Sequence, residues 1–366
     1  MSLEELTENL ELAWAFDFDS VTAAQAERVL GQEQLAPADL GVLLSPAAGR
    51  FLEPMAARAA ELTARFFGRN INLFTPLYLA NYCLNQCTYC GYSRLNSLKR
   101  GVLTESEIKR ELLAVKATGL DDILLLTGES RTHSGPQYIE QAAAAAAGLF
   151  SRVGLEVYPL KTEQYARMQK AGADYVCVYQ ETYDPELYRQ VHPQGPKKDY
   201  AFRLEALSRA LAGGIRSAGL GALLGLGDFR RDVLALGIHG RYLARHFPAS
   251  ELAYSVPRLR PMAGSLEGFP LVSERELTQI ILALRIFSPS FDLSLSTRER
   301  PFYRQSLIGL GITRLSAGVR TSVGGHDGDS KGGEQFEKAD ERSVDEVCAG
   351  IAAKGFQPVF TDYARL

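Results

Sequence analysis

Asp122-Ile-Leu-Leu-Leu-Thr127 is the stretch on which the architecture turns. An unbroken apolar run has no solvent face, which is the pattern of a parallel strand covered on both sides. Just upstream, Thr104-Glu-Ser-Glu107 forms a capping box that opens a helix, and Gly119 stops it. Working outward, the same alternation repeats. Strands are expected at Asn72–Leu79, Leu155–Leu160, Tyr175–Gln180, Leu220–Leu224, Leu252–Val256, Phe291–Leu295 and Ile312–Leu315, with helical segments between them. One of these segments is the polyalanine run Ala142–Ala147, a good helix former. Eight strands alternating with helices close most simply into an α/β fold of the (β/α)8 TIM-barrel type. Residues 1–70 read as an N-terminal helical extension, with helices over Val21–Gly31 and Leu52–Phe67 and a stop at Gly68. Pro54 falls in the first turn of the second, where its missing N–H costs little. The barrel occupies 71–320. Residues 321–366 form a C-terminal extension with a glycine-rich loop and a capping segment, including a helix capped by Ser343 and Glu346 and ended by Gly355.

The first strand runs directly into Cys83-Leu-Asn-Gln-Cys87-Thr-Tyr-Cys90. Three thiolates on one short loop can bind three irons of a cubane iron–sulfur cluster, where four cysteines are usual. The fourth iron then has no protein ligand, and an open metal position marks chemistry rather than scaffolding. A zinc knuckle is the competing reading, but it needs a fourth ligand and the nearest histidine is His133, beyond a helix and a strand. The two remaining cysteines, Cys177 in an apolar run and Cys348 on a helix, read as buried thiols.

Composition narrows the class. The chain has 366 residues, 46% hydrophobic content and a net charge of -3. Its pI is near 6.1 and its mean hydropathy is -0.09. These values support a large core and give no reason to expect nucleic acid or a membrane as partner. Met-Ser-Leu-Glu-Glu at the start carries no basic, apolar leader, so a cytoplasmic location is expected.

The cysteine spacing, with Tyr89 before the last cysteine, resembles the cluster loop of radical S-adenosylmethionine (SAM) enzymes. Further stretches extend that resemblance along the chain from about Asp39 to Asp362. They are Leu44–Ala48, Pro76–Leu79, Cys87–Gly91, Leu126–Glu129, Val178–Tyr183, Gly219–Gly225, Pro257–Pro261, Leu295–Glu299 and Ser316–Gly318. Together they resemble the 2-iminoacetate synthases, the radical SAM tyrosine lyases of thiamine thiazole biosynthesis, within the aromatic amino acid lyase group. A related tyrosine lyase of hydrogenase maturation carries a second, C-terminal cluster with its own cysteines. This chain has only Cys348 there.

The resemblance implies a [4Fe-4S] cluster on Cys83, Cys87 and Cys90, with SAM chelating the fourth iron. Gly128-Glu129 corresponds to the turn whose carboxylate holds the SAM ammonium, with Thr127 replacing a glycine. Leu223 and Gly225 lie on the strand edge approached by adenine, and Tyr89 packs near it. Gln180 and Glu181 suit ribose hydroxyls, and Arg203 suits the SAM carboxylate. Arg298 is expected to grip the carboxylate of L-tyrosine, with Tyr78 and Ser316 beside it. For Arg298 an ion pair with Glu299 or Glu129 is the alternative. The loop Gly318–Gly333 reads equally as a linker or as a lid over the barrel mouth, and His133 has no assigned role. Implied partners are a flavodoxin or ferredoxin reductant and thiazole synthase. Competing functions are a lyase of another aromatic amino acid such as tryptophan, a non-catalytic electron-transfer protein and a zinc-binding interaction protein.

Overall fold

The computed structural model describes residues 3–259 and 269–361. Arg260 and Pro261 of one resembling stretch, and Asp362 at its far limit, lie outside them. Four helices come first, α1 (Leu3–Ala15), α2 (Ala23–Leu30), α3 (Pro37–Leu44) and α4 (Leu52–Phe67). The barrel follows as β1 (Asn70–Ala80), α5 (Glu105–Lys116), β2 (Asp122–Thr127), α6 (Pro136–Ala147), β3 (Arg152–Glu156), α7 (Thr162–Lys170) and β4 (Tyr175–Glu181). Three short helices, α8 (Pro185–Val191), α9 (Tyr200–Leu204) and α10 (Ala206–Ala212), lead to β5 (Ser217–Ala222) and α11 (Phe229–His246). Then come β6 (Glu251–Ser255), α12 (Glu274–Phe287), β7 (Asp292–Leu295), α13 (Pro301–Ser306) and β8 (Arg314–Ser316). The chain closes with β9 (Val323–Gly324), β10 (Ser330–Gly332), α14 (Val344–Ala353) and β11 (Gln357–Val359).

Strands β1 to β8 pair in parallel in chain order, and β8 returns to β1 with Phe74 opposite Ser316. That pairing closes the barrel, so the expected (β/α)8 fold is present. Along β1, Ile71, Leu73, Leu77 and Leu79 join the core between sheet and helices, while Phe74, Pro76 and Tyr78 face the interior. The helix signals read from sequence are in place. Thr104 and Ser343 make full capping boxes, and Gly68, Gly119 and Gly355 all have positive φ. The N-terminal helices pack on the outer layer, α1 and α3 on α11, and α4 on α12.

Most strand limits differ from those expected, by up to three residues at the start. β3 begins at Arg152 rather than Leu155, β5 at Ser217 rather than Leu220, and β8 at Arg314 rather than Ile312. The cause is what faces the barrel axis. Arg314 Nη2 donates to Asp122 Oδ2 at 2.6 Å, and Tyr175 Oη donates to Asp122 Oδ1 at 2.8 Å. A charged layer thus fills the bottom of the barrel, where branched apolar residues are usual.

The glycine-rich segment is folded rather than a free linker. It forms β9 and β10 beside β1, and Glu111 accepts hydrogen bonds from the backbone N–H of Gly325 (2.9 Å) and His326 (2.8 Å). Beyond it, the buried pair Arg304–Asp340 ties the C-terminal segment to β8, since Arg304 also donates to the Ser316 carbonyl. Burial works against ionisation of Asp340, but hydrogen bonds from Arg342 and the charge of Arg304 hold its carboxyl down to about 2. This stabilisation is present above the ordinary carboxylate range and is lost as pH falls through about 2. Asp340→Ala leaves a buried guanidinium without its carboxylate and should cost about 3–5 kcal/mol in urea unfolding at neutral pH. A loss below about 1 kcal/mol, the range of a surface pair, would show that the pair does not anchor this segment.

Candidate active site

The loop after β1 is held in shape largely by its own backbone. Leu84 N–H donates to the Glu129 carbonyl at 2.9 Å and Arg94 N–H to the Asn85 carbonyl at 2.8 Å. The Arg100 guanidinium bonds the carbonyls of Asn81 (2.7 Å), Tyr92 (3.0 Å) and Ser93 (2.7 Å). Gly91 is needed here, because a Cβ would sit 2.2 Å from the Gln335 carbonyl oxygen. This framework brings Cys83, Cys87 and Cys90 to one cavity at the C-terminal ends of the strands.

All three thiols are unoxidised. Burial pushes the Cys87 thiol up to about 12 and raises that of Cys90, so the loop is a dry site. Thiolates there need a cationic centre to be stable, and metal coordination deprotonates a thiol outright. Asn85 Nδ2 lies 3.6 Å from Cys83 Sγ and Gln335 Nε2 lies 3.9 Å from Cys90 Sγ, the sort of N–H contact that tunes cluster sulfurs. Among the described residues, no three His, Cys, Asp or Glu side chains converge on a single metal ion. Three cysteines facing one cavity from separate points suit a polynuclear centre with one thiolate per iron.

Around the same cavity lie Gly128, Glu129, Glu181 and Arg203. Glu129 Oε2 accepts from Asn85 Nδ2 at 2.7 Å, and a Cβ on Gly128 would sit 2.4 Å from the Tyr82 carbonyl oxygen. Glu181 is the sole non-glycine residue with positive φ among the described residues, at 73°. Backbone strain of this kind gathers at functional sites. Its Oε1 accepts from Lys197 Nζ at 2.6 Å and lies 3.4 Å from Arg203 Nη2. Burial opposes ionisation of Glu181, yet Lys197 and Arg203 outweigh it and hold the carboxyl below its usual range. Arg203 is buried rather than a surface charge, and its Nε donates to the Tyr179 carbonyl at 2.7 Å. Tyr89 Oη lies 2.7 Å from His192 Nε2, with Lys197 Nζ 5.5 Å from its ring centre. Leu223 packs in the same apolar group as Tyr89.

Two expected residues stand apart. Gln180 borders neither cavity, because the alternation of β4 turns Tyr179 and Glu181 inward instead, and its Nε2 is buried without a partner. Gly225 also borders neither; its φ of +105° serves the turn after β5.

A second cavity continues down the barrel axis and contains Tyr78, Arg298 and Ser316. The Arg298 guanidinium lies 3.7 Å from the centre of the Phe336 ring and forms no ion pair among the described residues. Glu299 is engaged by Arg258, with Nε to Oε1 at 2.9 Å, and Glu129 by Asn85, so both alternative partners are occupied. Burial lowers the Arg298 pKa, which means its charge is poorly compensated. Ser316 Oγ is buried without a hydrogen bond. Tyr78 Oη donates to Gln335 Oε1 at 2.9 Å. His133 stands outside, stacked on Tyr82 at 3.8 Å.

Reading the sequence alone missed Lys197, Glu156, Gln335 and Phe336. The last two reach the site only because the glycine-rich segment folds back over the barrel mouth. Glu156 was discoverable: it ends β3, and the offset of that strand hid it.

A closed parallel barrel with a three-cysteine loop at the C-terminal end of β1 defines a radical SAM enzyme. The sequence profile of the Radical SAM superfamily matches residues 77–236, and that of the Biotin and Thiamin Synthesis associated domain matches 255–357. The chain is 42% identical over 343 residues to 2-iminoacetate synthase of Salmonella typhimurium, covering 93% of this chain and 91% of that protein. The Escherichia coli enzyme of the same name matches equally. Among solved structures, the FeFe-hydrogenase maturase HydG from Carboxydothermus hydrogenoformans superposes with a TM-score of 0.91 at 30% identity, covering 99% of this chain and 86% of that one. The chain belongs to the 2-iminoacetate synthase family. It is therefore an enzyme that uses a [4Fe-4S] cluster and SAM.

If Glu129 holds the SAM ammonium, Glu129→Ala should weaken SAM binding by about 2–4 kcal/mol while leaving the SAM-free cluster spectrum intact. Unchanged affinity in equilibrium binding would make Glu129 a support for Asn85 and nothing more.

Proposed function

We infer that the chain cleaves the Cα–Cβ bond of L-tyrosine to 2-iminoacetate and p-cresol, with SAM reduced to 5′-deoxyadenosine and methionine, for thiamine thiazole biosynthesis. The observation that carries this is 42% identity to 2-iminoacetate synthases across nearly the full length of both chains, with the three-cysteine loop inside the match. Held by the three cysteines and the SAM-facing residues, the cluster and SAM would supply one-electron chemistry able to remove a hydrogen atom from the amine of tyrosine. The protein's part is to place the amino acid and keep water away, because both the radical and the imine react with it.

Cys83, Cys87 and Cys90 are assigned as the cluster ligands. Glu129, Arg203 and Glu181 are assigned to SAM, with Gly128, Tyr89 and Leu223 giving it room and an apolar wall. Arg298 takes the tyrosine carboxylate in a two-pronged grip, with Ser316 Oγ and Tyr78 beside it. The unpaired guanidinium and the unbonded hydroxyl support that assignment. Partners are a low-potential flavodoxin or ferredoxin and a thiazole synthase that consumes the imine. Among the described residues no helix is long and apolar enough to cross a membrane.

The test is anaerobic incubation with reductant, SAM and either L-tyrosine or L-tryptophan, with products read by mass spectrometry. p-Cresol and deoxyadenosine should form together with tyrosine. An indole fragment from tryptophan would move the specificity to that amino acid. Absence of deoxyadenosine from iron-loaded protein would leave an electron carrier, and colourless, iron-free protein would restore the zinc reading.

A further inference from the structure

Two cavities meet at the barrel mouth, one bordered by the cysteines and one by Arg298 and Ser316. The reacting atom of the substrate has to sit where they join. Two carboxylates border both cavities, Glu181 and Glu156. Glu181 is occupied by Lys197 and Arg203. Glu156 forms no hydrogen bond or ion pair among the described residues. It ends β3 opposite Leu126, and the alternation that puts Leu155 into the outer core turns Glu156 inward. The side chain is incompletely covered by neighbouring atoms because it fronts both cavities, yet it lies deep within the barrel mouth.

One cavity thus holds a guanidinium and a carboxylate, neither of them neutralised by a contact partner. Buried charges are normally paired. Arg298 and Glu156 together present the complement of an amino acid zwitterion: a cation for the carboxylate and an anion for the ammonium. Building on the tyrosine lyase assignment, we propose that Glu156 receives the substrate ammonium and takes one proton from it, so that a neutral amine meets the radical. The step is R–NH3+ plus carboxylate giving R–NH2 plus carboxylic acid; one proton moves from nitrogen to oxygen and no electron changes hands. A dry cavity favours it, because two charges become two neutral groups.

The surroundings poise the carboxylate for this exchange. Burial and then Glu181 push it up to about 7, against the opposing charges of Arg298, Arg203 and Lys197. Tyr78, Cys177 and Tyr179 are the other titratable groups facing it, and burial raises the pKa of all three, so they are neutral near pH 7. Glu156 is therefore the group whose ionisation should set the acid limb of kcat/KM, with activity falling as pH drops through about 7.

The test compares wild type, Glu156→Gln and Glu156→Asp in cluster-loaded protein with SAM. Binding is measured for L-tyrosine and for 3-(4-hydroxyphenyl)propanoate, which lacks the amine. Glu156→Gln should weaken tyrosine binding roughly 30-fold or more, leave the deaminated acid unchanged, and remove the acid limb from whatever turnover remains. Glu156→Asp, still ionisable, should recover part of both. Iron content and the cluster absorption band, read in each variant, report whether the fold and the cysteine loop are intact. Wild-type tyrosine affinity and an unaltered acid limb in Glu156→Gln would overturn the proposal, as would equal weakening of both ligands. Absence of p-cresol from the wild-type enzyme itself would instead strike the tyrosine lyase assignment.

Discussion

Replacing Cys83, Cys87 or Cys90 by Ala should abolish SAM cleavage, whereas Cys177→Ala and Cys348→Ala should still bind about four irons per chain. The asymmetry follows from position. The first three share one short loop whose backbone is pinned at Leu84 and Arg94, whereas Cys177 borders the same cavity alone, from a strand. Each supplies one of three ligands, so each loss leaves an additional iron without a protein donor. Cys177 faces the barrel axis from β4, where its Sγ lies 2.6 Å from where a Cβ on Gly219 would be. It is held there as a neutral thiol by burial, at about 12. Cys348 lies half-buried on α14 and borders neither cavity. Iron content, the cluster absorption band and deoxyadenosine yield separate the two groups. Loss of the cluster on replacing Cys177 or Cys348 would refute the ligand assignment.

The barrel was legible because its signals are local. Asp122–Thr127 is apolar throughout, Thr104 and Ser343 make their capping boxes within one turn, and the glycine stops need only their own φ. The exact strand limits were not legible, and the reason lies inside the barrel. Gly154 and Gly221 face the axis opposite tyrosines; a Cβ on either would come within 2.0 Å of the Tyr175 ring and 2.4 Å of the Tyr179 ring. Small residues and charges at these positions make space for a cavity, and they break the apolar pattern by which strands are recognised. Reading β3 as Leu155–Leu160 followed hydrophobicity and so placed Glu156 within a strand rather than at its end. Residues contributed from far along the chain were hidden for another reason. Gln335 and Phe336 meet Tyr78 and Arg298 only through the folded course of the glycine-rich segment, which no local pattern specifies.

The heaviest demand on the substrate site falls on Arg298. Its guanidinium lies against Phe336, and the two carboxylates that the sequence offered as ion-pair partners, Glu299 and Glu129, are engaged by Arg258 and Asn85. A buried cation left in that state has an electrostatic need that a substrate carboxylate meets. Removing one partner of such a pair typically costs about 2–5 kcal/mol, roughly 30-fold to several thousand-fold in affinity. Arg298→Ala should therefore cut tyrosine cleavage by at least that lower factor. Arg298→Lys should restore only part of it, because an ammonium offers a point charge where the carboxylate needs two parallel donors. Cys83, Cys87 and Glu129 border only the other cavity, so tyrosine-independent deoxyadenosine release should persist in both variants. The informative measurement is the ratio of p-cresol to deoxyadenosine in one anaerobic assay, which should fall sharply on Arg298→Ala and less on Arg298→Lys. Equal loss of both products with normal tyrosine binding would mean that Arg298 serves SAM or the fold, and that the carboxylate of tyrosine is held elsewhere in the barrel mouth.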